Sequence, residues 1–133
     1  MVDVGLHCKE GPVPLKDIAE RLQVSKKYLE HQTSRLEAVG LLTSRRGARG
    51  GMSLGRAASD IRLSDIFQIL EGRIPLVECV DNPERCPRSD SCAARDLWME
   101  MGELLATLLE SKTLEDLCRQ QRGKERAARP VDG

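Results

Sequence analysis

The sequence predicts a mostly α fold: a winged helix-turn-helix, α with a small β-hairpin wing, plus a long C-terminal dimerisation helix. Three observations lead there. Two short helical stripes flank a brief break over residues 15–39, a Gly- and Arg-rich centre lies between apolar runs at 41–54, and a broad leucine stripe runs from Ala93 to Leu109. The 133 residues suit one domain with an appendage. With Tyr28, Phe67 and Trp98 as the only aromatics, the core must rest on Leu, Ile, Val and Ala.

The elements follow in order. Pro14 precedes a first helix in which Leu15, Ile18, Ala19 and Leu22 form one apolar stripe. Val24 is a buried-type residue in the break, and Ser25 caps a second helix with Leu29, Leu36 and Val39 turned inward and Gly40 as its stop. Two helices joined by so short a turn match the arrangement whose second helix enters the major groove. Residues 41–54, LLTSRRGARGGMSL, then read as a hairpin with a basic, glycine-rich tip, the wing. Residues 61–70 give a short helix with Ile66, Ile69 and Leu70 inward. Periodicity lapses over 72–92, a stretch holding Pro75, Pro83, Pro87 and three cysteines, which forms an ordered loop only if something ties it down. The helix from Ala93 carries Leu97, Trp98, Met101, Leu104, Leu105, Leu108 and Leu109, a stripe too broad for so small a chain to cover without a partner helix. Thr113 to Asp116 reads as a capping box opening one last helix. The expected organisation is therefore a DNA-binding domain over 1–59, a short helix and cysteine loop over 60–92, dimerisation and terminal helices over 93–120, and a disordered tail over 121–133.

A formal charge of zero conceals an asymmetry. Residues 16–56 hold nine basic and four acidic side chains, net +5, whereas residues 57–120 hold seven and thirteen, net −6. One half is suited to a polyanion and the other is not. No apolar run is long enough to span a bilayer and no signal peptide opens the chain, so a cytoplasmic protein without a membrane partner is expected. Phosphate-binding glycine motifs and Ser/His/Asp or Cys/His groupings are absent, and His7 and His31 are the only histidines. The chain therefore reads as a non-enzyme with no small-molecule substrate.

Two constellations carry chemistry. Cys79, Cys86 and Cys92 form a C-x6-C-x5-C array, and thiolates are soft ligands that select iron–sulfur clusters, zinc or copper(I). Structural zinc takes tighter cysteine pairs, so this wide spacing must wrap something larger. Cys8 and Cys118 read as core thiols, leaving His7, His31, Asp90 or a partner-subunit residue as a fourth ligand. The second constellation is Ser25-Lys26-Lys27-Tyr28-Leu29-Glu30-His31 at the start of the recognition helix. Lys26 and Lys27 suit phosphates, while Ser25, Tyr28, Glu30 and His31 offer polar groups to base edges. A solvated face with a Lys26–Glu30 pair is the plain reading, but wing arginines Arg45, Arg46 and Arg49 beside it favour a duplex.

Together, MVDVGLHCKEGPVPLKDIAERLQVSKKYLEHQTSRLEAVGLL, RGARGGMSL, the three-cysteine loop, Leu97–Trp98 and the terminal TLEDL resemble the winged-helix regulators typified by IscR and NsrR, with CymR as a cluster-free relative. The resemblance implies a homodimeric transcription regulator on a palindromic double-stranded operator. It further implies an iron–sulfur cluster, [2Fe–2S] or [4Fe–4S], held by Cys79, Cys86 and Cys92 and reporting iron–sulfur status, redox state or nitric oxide. By position, Ser25, Lys27, Tyr28, Glu30 and His31 match the groove-facing residues and Arg46 the wing arginine. Arg49 replaces a frequent glycine, Arg95 replaces the histidine ligand of IscR members, and the first helix is expected to be shortened. Two alternatives remain: a winged-helix regulator using zinc or direct thiol sensing without a cluster, and a truncated dimerisation partner that does not bind DNA.

Overall fold

The computed structural model describes residues 1–72 and 76–128. Seven helices and one hairpin are found among them: α1 (Val2–His7), α2 (Leu15–Leu22), α3 (Lys26–Ala38), β1 (Leu42–Arg45), β2 (Gly51–Leu54), α4 (Leu63–Leu70), α5 (Glu78–Asp81), α6 (Ala93–Ser111) and α7 (Leu114–Ala128). The winged helix-turn-helix expected from the sequence is the fold observed.

Local chemistry sets most boundaries. Gln23 adopts a left-handed conformation (φ 54°) that ends α2. The hydroxyl of Ser25 then accepts from the backbone N–H of Tyr28 at 3.1 Å and starts α3. Gly40, at φ 73°, turns the chain out of α3 while Leu41 N–H donates to the Leu36 carbonyl. The hairpin pairs Leu42 with Leu54 and Arg45 with Gly51. Val13 joins its edge through two hydrogen bonds with Met52, of 2.8 and 2.7 Å. That approach requires Gly51, because a Cβ there would collide with the Val13 backbone and its φ is 155°.

The core gathers Val4, Val13, Ile18, Leu36, Leu41, Leu42, Met52, Ile61, Leu63, Ile66, Leu114 and Cys118. No aromatic side chain enters it, as composition foretold. Leu114 and Cys118 bring α7 back onto the winged domain, where α1 packs against it. A bidentate Asp3–Arg21 ion pair, 2.8 Å at each contact, ties α1 to α2. The capping box forms reciprocally: Thr113 N–H donates to Asp116 Oδ2 at 2.9 Å, and Asp116 N–H to Thr113 Oγ1 at 3.2 Å. Those hydrogen bonds from Thr113 hold the Asp116 carboxyl below its ordinary pKa.

Several expectations fail at element ends. Leu22, Val24 and Val39 are exposed rather than inward. The helical stripe ends at Gln23, the turn carries Val24 outward, and α3 stops at Ala38, one residue short of Val39. The expected tail is helical as far as Ala128, because α7 continues past residue 120; residues 129–133 of that tail lie outside the described residues. Pro75 also lies outside them, but the cysteine stretch from residue 76 is a chain of tight turns rather than an irregular loop.

The docking of α1 on α7 leaves no room at Gly5, where a Cβ would stand 2.7 Å from Cys118 Sγ. Gly5→Ala should cost about 1–3 kcal/mol in urea unfolding, and adding Cys118→Ala should recover much of that loss. Strictly additive losses in the double variant would refute this contact.

Candidate functional site

The predicted contact residues of α3 lie at one end of one helix. Ser25, Lys26, Lys27, Tyr28, Glu30 and His31 are all exposed. Leu29, partly buried against the core, fixes the rotation of this turn. The Ser25 hydroxyl is committed as cap acceptor, so its lone pair serves the helix before any ligand. Lys26 Nζ stands 3.6 Å from Glu30 Oε1, an exposed pair that contributes little to stability. The orphan N–H groups of a helix end of this kind generally favour anions.

Arg45 ends β1 opposite Gly51, while Arg46 and Arg49 stand on the tip between the strands, all exposed. Gly50 N–H closes the tip on the Gly47 carbonyl at 3.0 Å. The tip is thus a short, defined turn carrying two guanidinium groups on a rigid ladder.

The cysteine segment follows α4. Cys79 lies in the first turn of α5, Cys86 follows the 3-10 turn Pro83–Arg85, and Cys92 is the N-cap of α6 after the 3-10 turn Ser89–Ser91. All three thiols are free and half-buried. Backbone bonds from Cys86 to Pro83 (3.2 Å) and from Ser89 to Cys86 (3.1 Å) stitch the turns. The buried Ser89 hydroxyl donates to the Pro83 carbonyl at 2.9 Å, and Arg85 pairs with Glu78. The structure places the three cysteines in one segment but does not gather them. Among the described residues, no three His, Cys, Asp or Glu side chains stand close enough to hold a metal ion.

The other candidates separate clearly. Cys118 is buried between α1 and α7, where burial pushes its thiol pKa up, and Cys8 packs beside the same core. Neither belongs to the loop. Arg95 is no ligand: its Nε donates to the Cys79 carbonyl at 3.0 Å and ties α5 to α6. Sequence reasoning saw Arg95 only as a missing ligand and passed over Arg35, whose guanidinium donates to the carbonyls of Leu70 (2.9 Å) and Ile69 at the end of α4. No periodicity or spacing signals such contacts.

Helix α6 supplies the last surface. None of its 19 residues is buried. Leu97, Met101, Leu104 and Leu108 are 42–64 % exposed, and their steps of four, three and four residues are those of a helix–helix seam.

A family model for Rrf2, described as an iron-dependent transcriptional regulator, matches residues 1–120. The chain is 40 % identical over 121 residues to the HTH-type transcriptional regulator IscR of Xenorhabdus nematophila, spanning 91 % of this chain and 73 % of that one. Among solved structures, CymR, the global cysteine regulator of B. subtilis, superposes with a TM-score of 0.76 at 36 % identity, over 90 % of this chain and 87 % of that one. T. potens IscR superposes with a TM-score of 0.72 at 33 % identity, over 90 % and 78 %.

Arg95→Ala should free the Cys79 peptide, lowering stability by about 1 kcal/mol and raising the rate at which iodoacetamide alkylates Cys79. An unchanged alkylation rate would show that Arg95 does not anchor this turn.

Proposed function

Because the chain belongs to the Rrf2 family, we propose that it is a homodimeric transcriptional regulator that binds a palindromic double-stranded operator, with an iron–sulfur cluster on its three-cysteine segment setting the affinity. One observation carries the reading. The exposed start of α3, from Ser25 to His31, stands in the same winged domain as the arginine-bearing hairpin tip. In the proposed complex Lys26 and Lys27 neutralise phosphates, while Tyr28, Glu30 and His31 meet base edges and Ser25 sets the helix entry. Glu30 favours a cytosine amino donor and rejects a misplaced phosphate. Arg46 and Arg49 reach along the backbone or into the minor groove beside the helix.

The uncovered Leu97–Met101–Leu104–Leu108 seam supports pairing through a second copy of α6. Such a dimer sets two recognition helices against half-sites about one helical turn apart. No helix among the described residues is long and apolar enough to cross a membrane, and the cytoplasm is the compartment proposed for this DNA-binding role.

The donor set fits a cluster. Cys79, Cys86 and Cys92 are free thiols, the soft donors that iron–sulfur clusters select, and Cys92 is the N-cap of α6. They would supply three of the ligands, with the fourth from His7, His31, Asp90 or the partner subunit. A bound cluster supplies a redox-sensitive charge and a covalent clamp on the segment. Since the thiols are not gathered beforehand, binding would draw the turns together, coupling metal affinity to local order.

The same ungathered thiols, with the likeness to CymR, favour a second reading: a winged-helix regulator answering thiol oxidation directly. Anaerobic purification with an absorption spectrum and iron, sulfide and zinc analysis separates the two. Brown protein with iron and acid-labile sulfide, lost in Cys86→Ala, supports the cluster; colourless, metal-free protein that still binds DNA supports the thiol reading. For the DNA-facing residues, Lys27→Glu and Arg46→Glu should each weaken binding of a selected inverted-repeat duplex. Each should also lower the slope of log K against log salt by about 1. Unchanged affinity in both variants would refute these two contacts, and no specific binding of wild type to any duplex would leave only a non-DNA-binding dimerisation partner.

A further inference from the structure

The recognition helix and the cysteine segment belong to different parts of the sequence, yet a single side chain joins them. Arg35 lies on α3, four residues beyond His31 and seven beyond Tyr28, so all three share one stripe of that helix. Its guanidinium is partly buried and forks onto the last two carbonyls of α4, those of Ile69 and Leu70. Within that final turn the Phe67 carbonyl is already taken by Glu71 N–H at 2.8 Å. Arg35 therefore serves as the C-terminal cap of α4, a position that favours a cation and otherwise leaves carbonyls orphaned.

Helix α4 leads, through Glu71 and Gly72, toward α5 and Cys79. On the far side, Arg95 holds the Cys79 carbonyl to α6. The cysteine segment is thus held to α6 by a second arginine, and α6 packs against α4, whose end Arg35 fastens to the recognition helix. Leu36, one residue from Arg35, shares the buried core with Ile66 of α4. Such apolar packing is non-directional, whereas the two-carbonyl fork fixes the orientation of α4's end against α3.

We infer that Arg35 is the positioning residue through which the state of the cysteine segment reaches the recognition helix. Ordering of the segment biases where α4 ends, and Arg35 converts that bias into the tilt of Tyr28, His31 and their neighbours. Arg35 need not touch DNA or metal to do this. The inference rests on the proposed regulation by a cluster on Cys79, Cys86 and Cys92, and adds the path by which that regulation travels.

The test compares full-length wild type, Arg35→Met and Arg35→Lys, each loaded anaerobically with iron and sulfide or left apo. The probe is an inverted-repeat duplex recovered by in vitro selection on the wild-type protein. The readout is the ratio of loaded to apo affinity, because a merely structural loss weakens both states alike and leaves the ratio unchanged. Wild type should differ between states by about tenfold. Arg35→Met should bring that ratio below about twofold with iron content and absorption spectrum unchanged, and Arg35→Lys, which keeps the cation but not the fork, should fall between. Hydrogen–deuterium exchange gives a readout without DNA. Loading should slow exchange over residues 26–38 in wild type, and only over the cysteine segment in Arg35→Met. Should Arg35→Met fail to fold, Arg35→Lys carries the test. A wild-type ratio retained in the substituted protein overturns the inference alone. A ratio of one in iron-loaded wild type overturns the regulatory reading, and the inference with it.

Discussion

Helix α6 is 19 residues long and buries none of them, and much of the molecule answers to that deficit. A chain with three aromatics and, among the described residues, a core of twelve buried apolar side chains has little surface left to lay over a helix of this length. The core is spent elsewhere, where α7 returns through Leu114 and Cys118 to close the winged domain. Helix α6 is consequently held at its ends and along α4, but its Leu97–Leu108 seam stays open. Exposed apolar area of this kind is ordinarily relieved by association. A symmetric pairing of identical seams closes on itself, as a heterologous contact need not.

Charge divides the chain along the same line. The segment bearing α2, α3 and the wing carries net +5, and the following segment with the cysteine turns and α6 carries net −6. In the proposed complex, acidic side chains on α6 such as Glu100 and Glu103 would keep that half off a phosphate backbone and orient the winged domain toward it. Two α6 helices brought together also bring these carboxylates together. The repulsion is screened at the exposed flanks over roughly 8 Å at physiological salt, while the apolar seam supplies the attraction. In the proposed dimer, pairing would draw on the apolar seam of α6 and orientation toward DNA on its acidic side chains.

Local features were the most legible in the sequence. Ser25 announces the start of α3 because a cap needs only a hydroxyl and an N–H three residues on, and Thr113 with Asp116 announces α7 for the same reason. The wing was readable because apolar runs flank a glycine-rich centre, and glycine readily takes the positive φ that a tight hairpin needs. Extent was harder to read. QRGKERAA has the composition of a solvated tail, yet it continues a helix nucleated by the docking of Leu114 and Cys118, and elongation costs far less than nucleation. Leu22, Val24 and Val39 misled because hydrophobicity records what a residue prefers rather than where the chain turns. The fork of Arg35 and the anchor of Arg95 were invisible, since each joins segments distant in sequence through carbonyls that every residue possesses.

The geometry of α3 explains why so slight a link has leverage. Eight residues separate Arg35 from Lys27, about 12 Å of helix axis. A tilt of about 10° about the Arg35 end moves the other end by roughly 2 Å, several times the spread of about 0.5 Å over which hydrogen-bond distances normally range. The proposed base-edge contacts, which demand that geometry, would be lost or formed by such a tilt, whereas the proposed screened contacts from Lys26 to phosphates would survive it. Motion at the end of α4 would accordingly alter selectivity for one sequence more than general attraction to DNA. Under the proposed function, a regulator built in this way would change which site it prefers without leaving the duplex.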